Sequence, residues 1–126
     1  KYSPYVDLRE PDDSYDVVTC SLVCHHIPTE EEIIQFLKKA TRVARKAVII
    51  NDLERNFGGV IAFRWLISPS LFTNRLSKND GELSIRRAFT EKEWKDFLER
   101  SGVEKFFIFS RPFQRFIIFI EKTKTK

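Results

Sequence analysis

Hydrophobic positions along the chain follow two different periods, and the places where the period changes divide it into elements. Tyr15-Asp16-Val17-Val18-Thr19-Cys20-Ser21-Leu22-Val23-Cys24 is a β-branched apolar run without regular polar alternation, which predicts a strand buried on both faces. Beyond His25-His26-Ile27-Pro28 the apolar residues Ile33, Phe36, Leu37, Ala40, Val43 and Ala44 recur at intervals of three and four, the spacing of a helix with one apolar face. Thr29 is placed to cap that helix, and Glu32, three residues on, to complete a capping box; Glu30, Glu31 and Glu32 also suit the positive end of the helix dipole. Arg42, Arg45 and Lys46 are expected to close its last turn. A second buried strand, Ala47 to Ile50, follows and ends at the polar pair Asn51-Asp52, so the first half predicts a right-handed βαβ unit with parallel strands.

The stretch from Leu53 to Phe89 has a weaker pattern, with an apolar helix expected near Val60 to Ile67 and a polar loop around Asn79-Asp80-Gly81. It has the character of a lid or acceptor-binding insertion at 53–89 within one domain spanning 1–126. Thr90-Glu91-Lys92-Glu93 forms a second capping box, opening a helix with Trp94, Phe97 and Leu98 inward and a stop at Gly102. Val103 to Ser110 and Gln114 to Glu121 read as two aromatic-rich strands, too close together for a helical crossover and therefore antiparallel.

Composition narrows the class. With 42% hydrophobic and 32% charged residues in 126, the chain carries enough apolar material for one packed domain. The 22 basic and 18 acidic residues leave a net +4, part of it in the terminal Lys122-Thr123-Lys124-Thr125-Lys126, expected to be a solvated tail. No basic patch interleaved with aromatics points to nucleic acid, and no apolar run is long enough for stable membrane insertion. Cys20 and Cys24, placed on alternate positions of one strand face, are expected to be reduced core residues of a cytoplasmic protein rather than metal ligands.

The order of elements, and several local words, resemble the second half of the class I S-adenosylmethionine-dependent methyltransferases. Asp12-Asp13-Ser14-Tyr15-Asp16-Val17-Val18 is similar to the family's run into its fourth strand, and Leu22-Val23-Cys24-His25-His26-Ile27 to the pattern that ends in histidine after it. Asn51-Asp52-Leu53-Glu54-Arg55 and the run from Asp80 to Thr90 resemble the ubiquinone and menaquinone methyltransferase branch. The resemblance implies an α/β fold, the carboxy-terminal half of a Rossmann-like methyltransferase sheet with parallel strands and an antiparallel closing hairpin. It also implies S-adenosylmethionine as cofactor and a small, apolar acceptor as partner. The family's first strand and glycine-rich loop have no counterpart, since Gly58, Gly59, Gly81 and Gly102 follow no first strand. The chain is therefore expected to be a truncated domain, inactive alone, and open to self-association through the strand edge that a first strand would cover. A non-catalytic α/β interaction domain is the alternative; a hydrolase would need a G-x-S-x-G elbow, which is absent.

By the same resemblance, His26 stands near the methyl donor as a candidate general base, although a histidine there can equally fix the strand-to-helix turn by a hydrogen bond. Asp7, Cys20, Ser21, Leu22 and His25 are the candidate cofactor-binding residues, with core packing the alternative for Cys20 and a structural or rim position for His25. Asn51, Asp52, Arg55 and Trp65 are the candidate acceptor-binding residues; helix capping, a solvated salt bridge and core packing are their structural alternatives. Arg86-Arg87 is a further candidate for an anionic acceptor or a solvated surface pair. Adjacent histidines point apart, so no metal site is expected.

Overall fold

A computed structural model of the chain describes residues 8–62, 65, 83–112 and 115–123; side chains at 57, 59 and 60 are outside that description. The elements are β1 (Tyr15–Ser21), a 3-10 turn (Cys24–His26), α1 (Glu30–Val43), β2 (Ala44–Leu53), α2 (Phe57–Ala62), α3 (Glu91–Arg100), β3 (Phe106–Arg111) and β4 (Arg115–Glu121). A short helical run at 83–87 leads into α3. The four strands form one sheet in the order β1-β2-β4-β3. β1 and β2 are parallel, and the other two pairings are antiparallel. The βαβ unit and the closing hairpin are therefore both present.

Local chemistry explains the helix starts. Thr29 accepts the Glu32 amide N–H at 3.3 Å, and its hydroxyl donates to the Glu32 carboxylate at 3.0 Å. At α3 both arms of the capping box form: Glu93 N–H donates to Thr90 Oγ1 at 3.3 Å, and Thr90 N–H donates to Glu93 Oε2 at 2.7 Å. α3 ends at Arg100, and Gly102 takes a φ of 80° beyond it, a left-handed conformation that costs glycine little.

Helix α1 ends at Val43, before Arg45 and Lys46 rather than after them, because Ala44 already pairs with Tyr15 across the sheet. Arg45 and Lys46 thus belong to β2, where both meet Asp16; the Arg45 Nε bond is 2.8 Å. Arg42 alone closes the helix, and its guanidinium donates to the Leu8 and Glu10 carbonyls, each at 2.8 Å, and to Asp12 at 2.7 Å. Lys122, expected in a solvated tail, instead donates to the Ala44 carbonyl at 2.8 Å and to Asp13 at 2.5 Å, tying the end of the hairpin to the start of β2.

The core lies on one side of the sheet. Ile33, Phe36, Leu37 and Ala40 of α1 meet Trp94, Phe97 and Leu98 of α3 over Val48, Ile50, Phe116, Ile118 and Ile120. Each large side chain so buried stabilises the fold by roughly 1.5–3 kcal/mol. Trp94 is fully buried with edge contacts to Phe89 and Phe97, while its Nε1–H has no acceptor among the described residues. The sheet's other side is partly open: Val17, Phe107 and Phe109 are each more than two-fifths exposed. The expectation of a first strand buried on both faces is corrected accordingly. Among the described residues β1 pairs only with β2, and Val17, Thr19 and Ser21 are exposed.

The ends of the 53–89 segment are pinned together. Glu54 and Phe89 form a parallel bridge, and Arg55 N–H donates to the Phe89 carbonyl at 3.0 Å. Within this segment α2 starts earlier than the expected Val60; residues 63, 64 and 66–82, including the expected polar loop, lie outside the described residues. No helix among the described residues is long and apolar enough to cross a membrane.

Candidate functional site

Parallel pairing brings the carboxyl ends of β1 and β2 side by side, with Ser21 opposite Asn51. The chain then leaves the sheet abruptly. Leu22 donates its N–H to the Asn51 carbonyl at 2.8 Å and takes a φ of 56°, a left-handed conformation unfavourable for leucine. That bend leads into the 3-10 turn, held by Ile27 N–H donating to the Cys24 carbonyl at 3.0 Å. β1 therefore ends at Ser21 instead of running to Cys24. A continuous strand would hold Cys20 and Cys24 about 13 Å apart. The bend brings their sulfurs to 3.7 Å, and the expectation of alternate positions on one strand face is corrected.

The same bend lowers His25 onto Asp52. His25 N–H donates to Asp52 Oδ2 at 3.0 Å, His25 Nδ1 meets Oδ1 at 2.6 Å, and Leu53 N–H donates to Oδ1 at 2.8 Å. Both residues are buried, at 5% and 1% exposure. An ionised carboxylate only accepts, so beside one the ring presents its proton from Nδ1. Asp52, expected to face an acceptor, instead spends its carboxylate orienting His25. The partners lie 27 residues apart with no local pattern joining them, so the pairing was not visible in the sequence.

His26 is exposed beside His25, with ring centroids 4.0 Å apart and tilted by 43°. Partial loss of hydration and the neighbouring His25 pull its pKa below the ordinary imidazole value, with Arg87 adding to the effect and Asp52 opposing it. Both histidines line a cleft of about 440 Å³ whose walls also include Glu30, Ile33, Arg87 and Phe89. The cleft thus lies between the post-β1 turn, the start of α1 and the end of the 53–89 segment. Arg87 was singled out in the sequence; Phe89 carried no signal of its own.

The remaining candidates divide. Ser21 and Leu22 are exposed at the strand end, whereas Cys20 is half-buried with its thiol against Cys24. Asn51 is half-buried beside them. Arg55 pairs with Glu93 at 2.5 Å, tying the start of the 53–89 segment to the cap of α3. Trp65 is 73% exposed, which excludes core packing among the described residues. Asp7 lies outside the described residues. No group of three or more potential metal ligands occurs among the described residues.

Residues 3–50 match the family model described as a methyltransferase domain. A S-adenosylmethionine-dependent methyltransferase from Aquifex aeolicus superposes with a TM-score of 0.62 at 15% identity, over 96% of this chain and 53% of that one. One from Methanosarcina mazei gives 0.62 at 17%, over 97% and 66%. This chain has the class I methyltransferase fold. An O-methyltransferase family 2 protein from Planctomyces limnophilus, solved with apigenin, gives a TM-score of 0.58 at 18% identity, over 94% of this chain and 32% of its own. The chain thus spans from 32% to 66% of the length of these proteins. No curated protein sequence matches it significantly.

Proposed function

We propose that the protein transfers the methyl group of S-adenosylmethionine to a small, apolar acceptor, and that His25, oriented by Asp52, is the residue that takes the acceptor's proton. The observation that carries the reading is the buried His25–Asp52 pair at the joined carboxyl ends of two parallel strands, where open α/β sheets place their ligands. Bound S-adenosylmethionine would supply an electrophilic sulfonium methyl group. The exposed strand end at Ser21 and Leu22 suits a wall for it, while Cys20, with its thiol turned to Cys24, would contribute backbone rather than side chain.

The chain's own residues then do three things. Asp52 fixes the His25 ring orientation through Nδ1, and His25 lines the cleft. Phe89 and Ile33 give the cleft apolar surface, and Arg87 gives it one positive charge for an acceptor's developing oxyanion. His26, a candidate for proton transfer or for fixing the turn, forms part of the rim in this proposal, and proton transfer passes to its neighbour. Holding the acceptor oxygen, nitrogen or carbon in line with the methyl group supplies most of the rate.

Asn51-Asp52-Leu53-Glu54-Arg55 supports the ubiquinone and menaquinone branch, and the pinned 53–89 segment supports an acceptor-binding role there, with Trp65 exposed on it. Two free cysteines suit the reducing cytoplasm. In this proposal the chain supplies one wall of the cofactor cleft and is inactive without a glycine-rich strand, loop and helix to supply the other.

The test is transfer of labelled methyl from S-adenosylmethionine to a panel of phenols, enols and quinols by a protein containing both walls. His25→Ala is expected to lower turnover at least about 100-fold, a typical value of a positioned proton acceptor, with S-adenosylhomocysteine binding retained. No binding of S-adenosylhomocysteine by the wild type would contradict the reading.

A further inference from the structure

Two groups next to the site have no part in that chemistry. Cys20 is the last half-buried residue on its face of β1, and Cys24 opens the 3-10 turn that carries His25. They are the two cysteines of the chain, and their sulfurs lie 3.7 Å apart across the bend at Leu22. Cys24 is fully buried, whereas Cys20 retains partial access to solvent. A disulfide needs the sulfurs at about 2.05 Å, so closure requires a shift of less than about 2 Å, concentrated in the bend and turn.

We propose that Cys20 and Cys24 form a thiol–disulfide modification site, closed by a small-molecule disulfide of the glutathione class, whose closure displaces the turn holding His25 against Asp52. The asymmetry of the pair sets the order of events. The hydrogen bond from Cys24 lowers the Cys20 pKa, favouring its thiolate despite partial burial and the nearby Asp52 charge. The same bond, with burial and Asp52, holds Cys24 protonated. Cys20 thiolate attacks one sulfur of oxidised glutathione, forming a mixed disulfide and releasing one glutathione thiolate. Cys24 then attacks the Cys20 sulfur as its proton passes to the departing second glutathione, which leaves as a thiol. Two protein thiols are oxidised and one glutathione disulfide is reduced, so atoms and electrons balance.

The consequence for the site is local. The Asp52 charge acts on the Cys24 thiol, and the Cys24 carbonyl anchors the turn through Ile27 N–H. Removing the thiol proton and drawing Cys24 toward β1 changes both. The inference stands on this geometry whether or not the methyl-transfer reading holds.

The experiment is treatment of the chain with oxidised glutathione, read by intact mass and by the His25 ring signals in NMR. The expected result is a loss of two hydrogens in mass, no retained glutathione, and movement of the His25 ring signals that reverses on reduction. Cys20→Ser is expected to remain unmodified because Cys24 is buried, and Cys24→Ala to retain glutathione on Cys20. A wild-type protein that stays unmodified, or keeps glutathione as a stable adduct, would overturn the site. Closure with unmoved His25 signals would overturn the coupling to the turn.

Discussion

Asp52 receives both the backbone N–H of His25, at 3.0 Å, and its ring Nδ1, at 2.6 Å. One carboxylate therefore fixes the position of the turn and the orientation of the imidazole together. With Leu53 N–H as a third donor, the buried carboxylate is well satisfied, and its loss would strand several polar groups in the interior. Asp52→Ala is expected to destabilise the fold by on the order of 3 kcal/mol. Asp52→Asn, which keeps the shape and an acceptor oxygen, should cost less. Urea denaturation of the two variants checks the order.

The cap of α3 gives a separable effect. Thr90→Ala removes the acceptor for Glu93 N–H and the hydroxyl that donates to Glu93 at 2.9 Å, and should cost about 1 kcal/mol. Although burial raises the Glu93 pKa, the Thr90 N–H and hydroxyl and Arg55 bring it below the ordinary glutamate value. Its contribution is accordingly present above the unfolded value of about 4.3 and lost as pH falls through the lower folded value. Glu93→Gln should flatten that acid limb in a pH series of denaturation midpoints.

His26 predicts a pH dependence at a different place. Its folded pKa is lowered by loss of hydration and by His25, so the unfolded chain takes up the proton first on acidification. Stability should fall as pH drops below about 6.5 and level off beneath the folded value. His26→Gln should lack this step, and an NMR titration should place the His26 midpoint below that of a free imidazole side chain.

Much of this fold was legible because its signals are local. The Thr90–Glu93 box, the helical spacing from Ile33 to Ala40 and the short connection between β3 and β4 each act over a few residues, and each has its expected structure. The end of β1 was not legible, since a leucine at positive φ carries no sequence mark of the kind glycine or asparagine gives. The end of α1 was misread because Arg45 and Lys46 look the same closing a helix as they do bonding Asp16 across strands. At the site, the histidine pair was visible, but not that one ring is buried and the other exposed. That difference follows from Asp52, brought beside His25 by the parallel register of β1 and β2.

The exposed face and edge of β1 yield a prediction about association. Among the described residues β1 is an edge strand with Val17 44% exposed on it, and an apolar edge with unpaired backbone groups invites pairing with another copy. Light scattering of the chain is expected to show an apparent mass that rises with concentration, and Val17→Lys to hold it at the monomer. A wild-type chain that stays monomeric throughout would show that the edge is covered.

The central claim is that the strand ends around Ser21, His25 and Asp52 form one wall of a S-adenosylmethionine site. Titration of S-adenosylhomocysteine into the isotope-labelled chain, followed residue by residue in NMR, tests it most directly. Weak, millimolar binding that shifts the signals of 20–26 and 51–53 while leaving β3 unmoved is the predicted result. Tight, low-micromolar binding would contradict the claim that one wall is supplied here, and an absence of shifts at the strand ends at saturating ligand would contradict the site itself.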